Sequence, residues 1–280
     1  MKPFSETQTE ILKFLATYKF LIVPQFQRLG LSNSPRKFQH HLREIERKSK
    51  NIMGRIVFGM HPKLGKLHNV FYLKPNGAIA VSELQKVDIS EIRYPVGRQF
   101  FFHDYFHRIH TVDFHIAFRT WAKDHVRQLD FFDTYFDKAG SNRNPALRGH
   151  SKAKTRVSLK GEALIPDAVY SYLNNEGKRQ LVVFEMCNKK ETKRIVVQFE
   201  KHVMALHEGA FSKKYGYEVA NRVFAVFEYE SILSSVRQRM RKKETFEGVE
   251  KFFVFNLIKN LRQNFLDGWE TIEGKSFKMV

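Results

Sequence analysis

Apolar residues recur at helical spacing through the first fifty positions. In SETQTEILKFLATYKF (5–20), Ile11, Leu12, Phe14 and Leu15 share one face, and Ser5 or Thr7 can cap the start. IVPQFQRLGL (22–31) predicts a short helix with Pro24 in its first turn and Gly30 past its end. NSPRKFQHHLREIERKSK (33–50) opens on an Asn33/Ser34 cap and Pro35. It then repeats Phe38, Leu42 and Ile45 at steps of four and three. Two β-rich runs, about 52–58 and 68–73, flank HPKLGK, and FYLKPNGAIAV (71–81) leads from a strand into a helix.

RYPVGRQF (93–100), broken by Pro95 and Gly97, marks a junction. Residues 101–125 then place Phe102, Phe106, Ile109, Val112 or Asp113, Ile116 and Trp121 near a 3–4 spacing, predicting one long amphipathic helix. Beyond it the pattern predicts a strand at 128–136, a strand over EALIPDAVYSYL (162–173), a turn at NNEGK and a buried strand over RQLVVFEMCN (179–188). A helix over 190–210, a strand over 221–230, a basic helix over 230–243 and a last strand over 250–258 follow. The core order is helix, strand, strand, strand, helix, strand, and the crossover after the third strand requires parallel pairing. The expected fold class is α/β (α+β). A winged helix-turn-helix over 1–92 precedes a domain over 101–280 built on a mixed sheet flanked by helices.

Charge adds a partner to this picture. The chain carries 48 Lys and Arg against 29 Asp and Glu, for +19 and a pI near 9.9. That excess favours a polyanion, above all nucleic acid, because neutralised phosphates release counterions. Residues 1–75 alone hold 14 Lys or Arg and 4 Asp or Glu. The third helix offers Arg36, Lys37, Gln39, His40 and Arg43, residue types that reach phosphates and base edges. Lys63 and Lys66 fall at the tip of the expected wing. Residues 138–160 carry seven Lys or Arg and no acid, among them Arg148, Lys152, Lys154 and Arg156. They form a Gly/Ser/Asn-rich segment suited to clamping a backbone. A solvated insertion that contacts nothing is the alternative.

The single Cys excludes an internal disulfide and a Cys-based zinc cluster. With no signal peptide and no apolar run of membrane length, a soluble cytoplasmic protein is expected. The long helix holds His103, His107, His110, His115 and His125. His103 and His107 have zinc-helix spacing, but no neighbouring Glu base or Cys accompanies them, so they read as polar-face histidines.

The remaining chemistry lies in PDAVYSYLNNEGKRQLVVFEMCNK (166–189). Antiparallel pairing of its two strands would set Asp167 beside Glu185. Carboxylates on adjacent strands can hold Mg²⁺ or Mn²⁺, hard cations that take oxygen ligands and retain waters. Two acids on an ordinary sheet is the plainer reading. Pro-Asp followed by Glu-x-Lys, in this element order, is the pattern of the PD-(D/E)XK restriction-endonuclease-like superfamily. Here the Lys position is Cys187. Lys189 or Lys201 is the candidate substitute cation, and Gln198 the candidate supporting side chain on the following helix.

Over about residues 10–265 the chain resembles the replication-relaxation family, related to MobC-type relaxases of mobilisable plasmids. The resemblance is carried by ILKFLATYKFLIVPQFQRL, HHLREIERKSKNIMGRI, FYLKPNGAIAV, HRIHTVDFHIAF, IPDAVYSYL and VVFEMCNKKETKRIVVQFEKH. It implies a protein that recognises an origin on mobile DNA and nicks or relaxes it, with Asp167 and Glu185 as metal ligands. Other mobilisation or replication proteins would be partners, with oligomerisation open, as is a covalent step through Tyr170 or Tyr172. A non-catalytic initiator, a mobilisation accessory protein or a transcriptional regulator on the same fold is the alternative.

Overall fold

The computed structural model describes residues 3–31, 34–48, 51–95, 104–139 and 152–278, which divide between two compact units, 1–116 and 117–280. The junction expected at 93–100 lies partly outside the described residues. The division between the two units falls inside a long helix, α5 below. No described helix is long and apolar enough to cross a membrane.

The first unit runs α1 (Glu6–Tyr18), β1 (Leu21–Ile22), α2 (Val23–Arg28), α3 (Pro35–Lys48), β2 (Met53–Ile56), β3 (Met60–His61), β4 (Gly65–Lys66), β5 (Val70–Leu73) and α4 (Pro75–Gln85). Ser5 caps α1 in a capping box with Gln8, satisfying backbone donors that a helix start leaves open. Ile11, Leu12 and Leu15 are buried, as are Phe38, Leu42 and Ile45 of α3. The strands form a sheet of order β1-β5-β2, and β3 and β4 make a separate hairpin. The two-residue β1 was not expected from the sequence. Leu21 and Ile22 lie in a run whose only local signal was helical, and they become a strand by pairing with Phe71 and Val70.

Gly77 explains the Leu-Lys-Pro-Asn-Gly turn. Pro75 sits in the first turn of α4, where its missing N–H costs nothing. A Cβ at Gly77 would lie 2.0 Å from the Ile52 carbonyl oxygen, so the helix can approach the sheet here only with glycine. The same carbonyl accepts from the Lys74 N–H at 2.9 Å.

α5 (Tyr105–His125) crosses the division between the units. The second unit continues with β6 (Val126–Thr134), β7 (Lys138–Ala139), β8 (Lys152–Ala153), β9 (Val157–Leu159), β10 (Glu162–Leu164), β11 (Ala168–Asn174), β12 (Arg179–Cys187), α6 (Thr192–His207) and α7 (Ala210–Tyr215). β13 (Arg222–Phe227), α8 (Glu230–Met240), β14 (Phe253–Leu257), α9 (Ile258–Leu261) and β15 (Glu270–Thr271) complete it. Its main sheet is mixed, of order β15-β14-β13-β12-β11-β6. β6, β11 and β12 pair antiparallel, while β12, β13 and β14 pair parallel across α6 and α8.

The expected single strand over 162–173 is corrected to two. β10 pairs with β9, and β11 joins the main sheet. Pro166 lies in the break; it has no N–H for a ladder and restricts the residue before it. The expected loop over 138–160 is likewise partly strand, with β7 paired to β8 and β9 to β10.

Alternation along the strands gives the sheet two apolar faces. Leu181 and Val183 share one face with Cys187, packed with Phe199 and Val203 of α6, Phe211 of α7 and Val236 of α8. The other face stacks Phe118 and Trp121 of α5 on Tyr170 and Tyr172, with Phe118 and Tyr170 centroids 4.5 Å apart. Each fully buried Phe contributes about 1.5–3 kcal/mol of apolar burial, so these layers hold the sheet rigid.

Candidate functional site

Asp167 and Glu185 meet because of strand register. Ala168 pairs with Phe184, and continuing by one residue sets Asp167 opposite Glu185. The Asp167 N–H donates to the Phe184 carbonyl at 3.0 Å, and the Met186 N–H donates to Asp167 Oδ2 at 2.6 Å. Both carboxylates are nearly buried, at 6% and 7% exposure. They lie on the α6 side of the sheet, the face of Val183 and Cys187.

α6 supplies the partners of Glu185. Gln198 Nε2 donates to Glu185 Oε1 at 3.2 Å, and His202 Nε2 lies 2.6 Å from the same oxygen. His202 is fully buried, and burial pulls its pKa down to about 3 against the opposing pull of Asp167. The ring is therefore neutral near pH 7. With its proton on Nε2 it donates to Glu185, and Nδ1 is left as a buried acceptor without a partner.

His202 was not among the residues singled out from the sequence. Its signal was there: Gln198 and His202 are i,i+4, and His202 falls in the buried series Ile195, Val196, Phe199, Val203.

Cys187 ends β12 two residues after Glu185, at the position where the motif expected from the sequence would have lysine. Burial, and then the charges of Glu185 and Asp167, push its thiol well above the ordinary range, so it is a neutral group packed in the apolar layer. Neither substitute lysine is bonded to the acids. β12 ends at Cys187, leaving Lys189 exposed beyond it. Lys201 forms an ion pair with Glu162 of β10.

The donor set fits a hard divalent cation in one specific way. Among the described residues no group of three or more His, Cys, Asp and Glu side chains is arranged to hold a metal. Two carboxylate ligands, with a backbone carbonyl and water completing the shell, is the arrangement Mg²⁺ tolerates best.

Tyr170 and Tyr172 lie on the opposite face of the sheet, stacked under α5. Burial raises Tyr172 to about 12 and Tyr170 well above its usual range. Neither can attack a phosphate held by Asp167 and Glu185.

Within the first unit, Arg36, Lys37, His40 and Arg43 of α3 are exposed, and Gln39 is half-buried. Arg36, His40 and Arg43 stand at helical steps of four and three, and the exposed Arg47 extends the stripe by another turn. Arg47 was missed in the sequence, although its spacing from Arg43 is the same signal. Lys63 and Lys66 are exposed on the β3–β4 hairpin, whose turn is fixed by the Lys63 and Leu64 N–H groups donating to His61 Nδ1. Lys152 and Lys154 are exposed and Arg156 half-buried; Arg148, like Asn33 and His103, lies outside the described residues.

Compared with known proteins, the chain matches no family model, no curated protein and no solved structure.

Proposed function

We propose that the chain is a DNA-binding nicking protein of a mobile element, which reads a site with a winged helix and cuts with a divalent metal. The observation that carries this reading is the pair of nearly buried carboxylates, Asp167 and Glu185, set side by side by antiparallel strands. The element order around them, helix then three strands, crossover helix and parallel strand, supports a restriction-endonuclease-like unit. Three helices, a three-stranded sheet and a basic hairpin in the first unit support a winged helix.

In this reading Asp167 and Glu185 hold Mg²⁺ or Mn²⁺. The ion, when bound, polarises a phosphodiester and lowers the pKa of a water. The Met186 N–H orients Asp167, while Gln198 and His202 orient Glu185. The apolar layer around Cys187 excludes water from beneath the carboxylates.

Cys187 favours a second reading. A neutral thiol cannot stabilise developing phosphate charge as a lysine would. The same fold would then bind DNA as an initiator or regulator and leave the cut to a partner.

Incubating the purified chain with supercoiled plasmids bearing candidate origins, in Mg²⁺ or Mn²⁺, separates the two. The first reading predicts conversion to nicked circles. Asp167→Asn or Glu185→Gln abolishes it with DNA binding intact, and Arg36→Ala with Arg43→Ala abolishes binding. Tight binding without a nick under either metal selects the second.

A further inference from the structure

Away from the carboxylates, the second unit contains a cleft of about 510 Å³ between β9 and α7. Its lining includes Arg156, Lys160, Lys213 and Lys214, with Glu208 as the one acid. Its walls are held by apolar contact, since Phe211 of α7 is fully buried against Val157 and Leu159 of β9. With those two side chains turned inward, alternation turns Arg156, Ser158 and Lys160 outward along one edge.

The charges of the cleft are poorly balanced from within. Glu208 accepts from the backbone N–H of Lys160 at 3.4 Å, and among the described residues no carboxylate pairs with Arg156, Lys160 or Lys213. Lys214 spends its ammonium on the chain itself, donating to the carbonyls of Lys154 and Arg156, the latter at 2.8 Å. Those bonds fix the rim and leave three cations facing water. Gathering like charges costs energy unless a polyanion neutralises them.

A bonded path connects the cleft to the carboxylates. Thr155, beside Arg156, is fully buried and donates its hydroxyl to the carbonyl of Pro166 at 2.7 Å, the residue before Asp167.

We infer that this cleft seats the phosphodiester backbone of the DNA, with Arg156 and Lys160 on one wall and Lys213 on the other. The inference rests on the DNA-binding part of the proposed function and not on the cut. The sequence marks Arg156 only as part of a basic loop. The opposing wall comes from α7, which no sequence signal singled out. A small organic ligand suits the cleft less well, because such sites are mainly apolar with few polar groups.

The test uses the full chain and a short fluorescein-labelled duplex of arbitrary sequence, read by anisotropy across a salt series. Replacing Arg156, Lys160 and Lys213 by Gln together is expected to weaken binding at least about tenfold at physiological salt. It should also flatten the slope of log K against log salt by about 0.9 for each phosphate no longer neutralised. Lys160→Arg with Lys213→Arg keeps the charge and should keep both affinity and slope, and an unchanged thermal melt of the Gln variant rules out a folding defect. The titration is run without divalent metal, so the cleft is read separately from any cut at the carboxylates. Unchanged affinity and slope in the Gln variant would overturn the inference. So would ATP binding that depends on the three cations while duplex binding does not, since the cleft would then serve a free phosphate compound.

Discussion

Asp113 sits in a buried polar network of the first unit. Its Oδ1 accepts from Gln25 Nε2 at 2.7 Å and from Arg28, while Gln25 also donates to the Ile109 carbonyl at 3.0 Å and accepts from the Ile22 N–H at 3.0 Å. Gln25 thus joins the start of α2 to α5. The apolar spacing of α5 was legible, but it left Val112 and Asp113 as alternatives for one turn. Which acid would be buried was not legible, because its partners lie more than eighty positions away. His202 differs: its burial was legible from the period of α6, and only its bond to Glu185 was not. Replacing Asp113 by Ala leaves the Gln25 amide without this acceptor and Arg28 without its carboxylate. Such a change costs about 2–3 kcal/mol. Denaturant unfolding should show that loss, with Asp113→Asn losing less; stability equal to the wild type would mean that the network holds nothing.

Helices and long strands were legible because their periodicity is local. Phe38, Leu42 and Ile45 mark α3 without reference to anything else, and RQLVVFEMCN marks β12 by its continuous apolar run. Two-residue strands such as β1 and β15 carry no period and exist only through pairing with β5 and β14. Pro166 offers a local reason to divide 162–173, so that break was legible although the apolar run masked it. The link between β2 and α4 is the most sharply constrained. Gly77→Ala drives a methyl into the Ile52 carbonyl, backbone that cannot swing aside. Overpacking of this kind costs about 1–3 kcal/mol. A thermal melt of Gly77→Ala should show a clear loss of stability, whereas Ala at Gly59, where a Cβ meets nothing within 4 Å, should change little. Equal losses at the two sites would refute the close approach as the reason for Gly77.

For the molecule as a whole, the element order forecast the mixed sheet, whereas charge gave only the expectation of a polyanionic partner. The state of the carboxylate pair was not legible. Sequence showed Cys187 where the expected motif would have lysine. It could not show that Lys201 is engaged by Glu162, that Lys189 stands beyond the strand, or that a neutral imidazole rests on Glu185. Whether the two acids hold a divalent cation is the point on which the nuclease reading turns. It can be measured without DNA, by isothermal titration of Mn²⁺ into the metal-free chain and into Asp167→Asn. The amide oxygen of Asn can still accept from the Met186 N–H, so the strand junction survives while the anionic ligand is lost. One Mn²⁺ site in the wild type, absent from Asp167→Asn, is the predicted result. No Mn²⁺ uptake by the wild type, or equal uptake by both proteins, would contradict it.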